Sequence, residues 1–198
     1  MTADSIPERS EAARDEDERS MAAIAAGDGD ALREIFDRWK LPMLNYLYRS
    51  LGNFADAEDL ALEVFTEVWR SAPRYRSEGT FSAWLFAIAR GKVRHEWRRR
   101  RRKPVAAAPA EFLQLPAPAG EDGLEQRESE EVLLRGLHTL PEAQRSALIL
   151  SAQSPLSADE VAATLGVKPS HLYVLIHRGR QRLRQYLKDQ HEYTSSQI

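Results

Sequence analysis

The chain has 198 residues, 42% of them hydrophobic, no cysteine and a formal net charge of -2, which leaves room for one ordinary domain or two small ones and excludes disulfides, thiolate zinc sites and cysteine nucleophiles. No apolar run approaches the ~18 residues that span a bilayer, and the first twenty residues are polar and acidic, unlike a secretory signal, so a cytoplasmic location without membrane insertion is expected. The near-neutral total hides a segregation: residues 80–103 carry nine Lys and Arg against one Glu, while residues 1–79 carry ten against seventeen Asp and Glu, the pattern of a chain that meets a polyanion at one place and a basic surface at another.

Residues 1–19 read as a disordered acidic tail. From Met21 the pattern turns helical, with Ile24, Leu32, Ile35, Phe36 and Trp39 at three- and four-residue intervals around the turn "GDGD", where Asp28 or Asp30 is the expected cap. Pro42 suits a first helical turn, so "PMLNYLYRSLG" is expected as a separate helix with Leu44, Leu47, Tyr48 and Leu51 on one face and Gly52 ending it. The next helix, "ADAEDLALEVFTEVWRSA", has Asp56 as its expected cap, turns Leu60, Val64, Phe65 and Val68 inward, and carries Glu58, Asp59, Glu63 and Glu67 outside.

After the loop "PRYRSEG", Thr80 is a good cap for "FSAWLFAIARGKVRHEWRRRRR", apolar in its first half and cationic in its second. Aromatic side chains interleave with cations here, as single-stranded nucleic acid binding requires: faces for unstacked bases and charges for phosphates. Phe81, Leu85, Phe86 and Ile88 are expected in the core, whereas Tyr75, Trp84, Arg90, Arg94 and His95 are candidates for contact.

Residues 104–123 hold four of the ten prolines and no periodicity, which reads as an extended linker. Beyond it, "LEQRESEEVLLRGLHTL" is helical, Pro141 opens "PEAQRSALILSAQ", and Ser157 with Glu160 forms an S-x-x-E capping box before "VAATL". Gly166 then turns the chain into "KPSHLYVLIHRGRQRLRQYLKD". Small Ala162, Gly166 four residues later, and the wedge of Val161, Leu165, Val167, Leu172 and Leu175 mark a helix-turn-helix; a plain helical hairpin would require neither these offsets nor the cations Arg178, Arg180, Arg182 and Arg184. Its second helix presents N-terminal residues to base edges, so Lys168, Ser170, His171, Tyr173 and Val174 are the candidate readers, with His177, Arg178 and Arg180 toward phosphates. No strand pattern and no repeat appears.

In their order, "GDGDALREIFDRW", "LGNFADAEDLALEVFTEVWRSAPRYR", "GTFSAWLFAIAR" with its basic run, and "LHTLPEAQRSALIL" through "IHRGRQRLRQYL" resemble a bacterial RNA polymerase sigma factor of the extracytoplasmic-function (ECF) group, over about residues 21 to 188. The resemblance implies an all-α chain of two small helical domains: residues 20–103 binding polymerase and melting the minus-ten element, a linker over 104–123, a helix-turn-helix domain over 124–190 reading the minus-thirty-five element, and a tail over 191–198. It implies as partners the clamp helices of the largest polymerase subunit, the flap of the second largest, promoter DNA and an anti-sigma factor, with no cofactor, no metal and no catalysis. Asp56, Glu58, Asp59, Leu60 and Glu63 match its polymerase-docking segment. Arg74, Tyr75, Arg76, Trp84, Arg90, Lys92, Arg94, His95 and Arg98 fall in its minus-ten segment, with Arg74 and Arg76 in the loop that captures a flipped base. Gly91 and His95 stand where the family commonly has Asn and Asp, and "SHLYVLIHRGR" departs from its usual recognition helix at Tyr173 and Leu175.

A stand-alone helix-turn-helix regulator would account for residues 124–190 but leaves the acidic helix, the aromatic-cationic helix and the linker without a task. A metal-dependent hydrolase using Glu58, Asp59 and Glu63 would need converging ligands, and the chain offers no HxxE, HD pair or phosphate-binding glycine loop.

Overall fold

A computed structural model describes residues 11–102 and 121–195; the expected linker lies almost entirely outside them. The described residues form α1 (Glu11–Ala25), α2 (Gly29–Leu51), α3 (Phe54–Ser71), a 3-10 turn (Ala72–Arg74), α4 (Phe81–Arg102), α5 (Glu121–Thr139), α6 (Glu142–Gln153), α7 (Ala158–Leu165) and α8 (Pro169–Ser195). Among them there is no strand, as the all-α reading expects.

The first unit closes around α2. Its stripe of Ile35, Trp39, Met43, Tyr46 and Leu47 is buried against Leu60, Val64 and Val68 of α3 and Phe81, Leu85, Phe86 and Ala89 of α4. Phe86 sits edge-on to both Trp39 (6.0 Å) and Tyr46 (5.6 Å), a geometry that suits the ring quadrupoles. Pro42 does not begin a helix of its own: α2 runs unbroken through it, because the residues on either side share one buried stripe whose packing outweighs the lost backbone bond. The cap of α3 is Asn53, whose Oδ1 accepts from the Asp56 amide at 3.0 Å, so Asp56 falls in the first turn instead. Asp28 caps α2, accepting from the amides of Asp30 and Ala31.

Residues 1–10 of the acidic N-terminal stretch lie outside the described residues, and residues 11–19 differ from the expected disorder. From Glu11 the chain is helical, and Asp17 is buried, accepting hydrogen bonds from the Arg38 guanidinium and from Trp39 Nε1 (3.1 Å). A buried carboxylate is tolerable only when so paired, and Met21 and Ile24 supply the apolar contact that holds the helix down.

In the second unit, α7 begins at the predicted capping box, with Ser157 and Glu160 exchanging hydrogen bonds (2.7 and 3.3 Å), and ends at Gly166 in the left-handed conformation (φ 68°). Val161, Leu165, Leu172 and Leu175 are buried between α7 and α8 and Val167 packs on them, the wedge expected of a helix-turn-helix. Gly179 brings α8 so near α6 that a Cβ there would lie 3.0 Å from Leu148 Cδ1.

Candidate nucleic-acid and polymerase interfaces

Three surfaces emerge from this packing. On α3, Glu58, Asp59 and Glu63 are exposed, while Leu60 is only 8% exposed, on the inward stripe with Val64 and Val68, and reaches the surface only as part of the cleft lining beside Asp59 and Glu63. Glu63 pairs with Lys92 (3.1 Å) and Asp56 with Arg100, so the acidic face lies directly beside the basic helix α4, and a cleft between them is lined by Asp59, Glu63, Lys92 and His95.

The sequence reading missed the apolar part of this surface. Leu62 is 61% and Trp69 39% exposed, and with Leu32, Phe36, Phe65 and Thr66 they line an open groove between α2 and α3. The signal was present: Leu62 and Trp69 lie off the inward stripe, among the outward carboxylates, where an apolar residue has no core to join. Two large exposed apolar side chains on a helix that also exposes carboxylates are the features of a protein-docking surface.

The second surface is built by α4 and the turn before it. Thr80 caps α4, its Oγ1 accepting from the Ala83 amide at 3.3 Å. Arg74, Arg76, Arg94, His95 and Arg98 are exposed. Tyr75 and Trp84 stand edge-to-face at 4.8 Å, half-buried, and Tyr75 donates its hydroxyl to Glu18 of α1 at 2.7 Å; burial and that carboxylate push its pKa up, so it remains a donor. The arginine run is not uniform. Arg99 and Arg100 pair with Glu96 at 2.6 and 2.9 Å, and Arg100 also donates to the Leu51 carbonyl, so part of the run staples α4 to the end of α2. Hydrogen bonds from Arg99, then Arg100, hold the Glu96 carboxyl below its usual pKa despite its burial.

Arg90, expected to face DNA, is engaged elsewhere. Its Nε and Nη2 reach the two carboxylate oxygens of Glu142 on α6 at 2.9 and 3.2 Å, and its Nη1 donates to the Leu165 carbonyl at 3.1 Å. Ser82 donates to Glu160 (2.8 Å) and Thr164 to the Ala83 carbonyl (3.2 Å), so α7 lies along α4. A second contact centres on Trp97, which Arg145 covers at 4.6 Å and His138 meets edge-on at 5.6 Å. Burial, reinforced by the Arg145 guanidinium, pushes the His138 pKa down to about 4, which keeps it neutral.

The third surface is the outer face of α8. Lys168, Ser170, His171, Tyr173, Val174, His177, Arg178 and Arg180 are all exposed, opposite buried Leu172, Leu175 and Gly179. The conformation that covers Arg90 therefore leaves this face open. No group of three or more His, Asp or Glu among the described residues is arranged to hold a metal ion, and none of the described helices is long and apolar enough to cross a membrane.

Residues 35–103 match the model of Sigma-70 region 2, and residues 130–183 that of Sigma-70, region 4. Among curated relatives, the ECF RNA polymerase sigma factor SigE of Mycolicibacterium smegmatis is 40% identical over 71% of this chain and 55% of its own length. SigW of Bacillus subtilis is 29% identical over 84% of this chain and 94% of its own length, and the sigma factor CarQ of Myxococcus xanthus 33% over 84% and 95%. Among solved structures, CnrH in complex with the cytosolic domain of CnrY superposes with a TM-score of 0.67 at 22% identity, covering 88% of this chain and 98% of that one. RpoE of Bartonella quintana, in complex with the anti-sigma factor NepR, gives 0.54 at 21%, covering 90% and 98%; at such identities the likeness is one of fold.

Proposed function

The chain belongs to the ECF group of bacterial RNA polymerase sigma factors and directs polymerase to promoters, unlike a stand-alone regulator, and we propose that its surfaces divide that task as follows. The groove of Leu62 and Trp69, together with the exposed Glu58, Asp59 and Glu63 of the same helix, docks on the clamp helices of the largest polymerase subunit, apolar anchors supplying the affinity and carboxylates the orientation toward a basic coiled coil. Arg74, Tyr75, Arg76, Trp84, Arg94, His95 and Arg98 take the unstacked minus-ten strand, and α8 takes the minus-thirty-five duplex. The C-terminal unit also meets the flap of the second largest subunit. The protein works in the cytoplasm, where polymerase and DNA are, and leaves bond chemistry to polymerase. Both fold neighbours are in complex with another protein, CnrH with the cytosolic domain of CnrY and RpoE with the anti-sigma factor NepR, and an anti-sigma protein is by the same likeness a partner class for this one.

Promoter engagement requires the two units to separate. The minus-ten and minus-thirty-five elements are centred roughly 25 base pairs apart, about 85 Å of straight duplex at 3.4 Å per pair, whereas α4 and α7 here touch through Ser82–Glu160. Arg90 joins the minus-ten face only once Glu142 has released it.

The observation that carries this assignment is an exposed apolar pair, Leu62 and Trp69, within an acidic helix that packs beside a basic one. It is tested by core polymerase binding. Leu62→Asp and the pair Asp59→Lys with Glu63→Lys should each weaken binding at least tenfold with the thermal midpoint unchanged; full affinity in both would remove the docking assignment.

A further inference from the structure

We propose that α8 reads thymine methyl groups in the major groove through Val174 and Tyr173, and that the upstream element of this factor's promoters therefore carries A·T pairs where those side chains land. The inference rests on the sigma-factor reading of α8 and adds the base class that the helix selects.

Elimination and geometry lead to it together. The buried face of α8 is set by Leu172, Leu175 and Gly179, so its opposite stripe is Ser170, Tyr173, Val174 and His177, one turn apart in pairs. Tyr173 is 62% and Val174 39% exposed, on a helix whose first turns would meet the base edges. From Ser170 to His177 there is no Arg, Lys, Asn, Gln, Asp or Glu. The bidentate donors that select guanine, the amides that select adenine and the carboxylates that select cytosine are thus all missing from the reading stripe. Thymine alone offers an apolar group, its 5-methyl, in the major groove. A β-branched valine beside a tyrosine ring provides the matching apolar surface, with Ser170, His171 and His177 as single-point hydrogen-bonding neighbours.

Charge decides between duplex DNA and a protein partner for this apolar pair. Lys168 precedes it and Arg178 and Arg180 follow it, all exposed; a cation on each side of a narrow apolar stripe fits two phosphate backbones flanking a groove.

The test uses the full chain reconstituted with core RNA polymerase. Promoters are first selected from a library randomised across the upstream element, and each selected thymine is then replaced by uracil, which lacks only the 5-methyl. At the contacted positions uracil should weaken retention about fourfold per methyl, the value of one buried carbon group. Val174→Ala should bind thymine and uracil promoters alike at its position, while core affinity and thermal midpoint stay at wild-type values; Tyr173→Ala should do the same at the neighbouring position. Equal retention of thymine and uracil at every position would overturn the proposal. So would a Val174→Ala protein that still discriminates, or one that loses core affinity instead, which would make the patch a protein contact. If no DNA is retained even with core polymerase, the underlying sigma-factor reading fails, and this inference with it.

Discussion

Arg90 and Glu142 form a two-pronged ion pair, 2.9 and 3.2 Å, between the helix expected to hold the minus-ten strand and the first helix after Pro141. The pair is side-chain to side-chain and mostly shielded, so its charge-assisted bonds contribute roughly 1.5–3 kcal/mol to the closed arrangement. Glu142→Gln should loosen that arrangement. Small-angle scattering is expected to show a larger radius for the free variant, and a minus-ten non-template oligonucleotide should bind it several-fold more tightly. Arg90→Ala should open the molecule equally but bind the oligonucleotide less well than Glu142→Gln does, since the proposed minus-ten face includes the released guanidinium. Identical radii for all three proteins would show that this pair does not hold the units together.

The arginine run should divide by partner. Arg98, Arg101 and Arg102 are exposed, whereas Arg99 and Arg100 share Glu96 and Arg100 also holds Leu51. Arg98→Ala should weaken promoter binding and reduce its salt slope by about one, leaving the thermal midpoint alone. Arg100→Ala should lower the midpoint. Across the helix, about four phosphate contacts would make binding fall roughly a hundredfold between 50 and 200 mM salt.

Three glycines test the backbone. Gly52 has φ 73° and a Cβ there would meet His138 Cε1 at 2.3 Å; Gly166 has φ 68° with open space around it; Gly91 is in ordinary helix with open space. Gly52→Ala should destabilise most, through both strain and collision. Gly166→Ala should cost about 1–2 kcal/mol for the left-handed backbone alone. Gly91→Ala should be neutral or stabilise by up to about 1 kcal/mol. Thermal melts check the ranking.

His138 makes acid stability specific. Its folded pKa of about 4 lies below the ordinary 6.5, so the unfolded chain binds the extra proton first, and stability present above about pH 6.5 drains away as pH falls toward 4. The loss from this group is at most about 3 kcal/mol. Urea melts at pH 7 and pH 5 should show a larger drop for wild type than for His138→Leu; equal drops would mean that His138 does not sense the interface.

Much of the architecture was legible because local signals agreed with tertiary ones: the Ser157–Glu160 box, Gly166, Thr80 and the stripe of α3 all stand where pattern put them. Three features were not. Asp17 looked like one more charge in a polar tail, because its partners, Arg38 and Trp39, are twenty-one and twenty-two residues away. Pro42 looked like a helix start, because its local rule ignores the buried stripe that runs past it. Arg90 looked like a free cation, because an ion pair with Glu142 fifty-two residues later leaves no periodic trace. At the docking surface, carboxylates drew the reading toward charge and away from Leu62 and Trp69, although their misfit with the core stripe was visible in the sequence.

In vitro transcription with purified core polymerase on a genomic promoter library tests promoter direction itself. The predicted result is initiation at discrete sites only when this chain and core are both present, with negligible duplex binding by the chain alone. Tight, sequence-specific duplex binding without polymerase, and no transcript that depends on the chain, would contradict it.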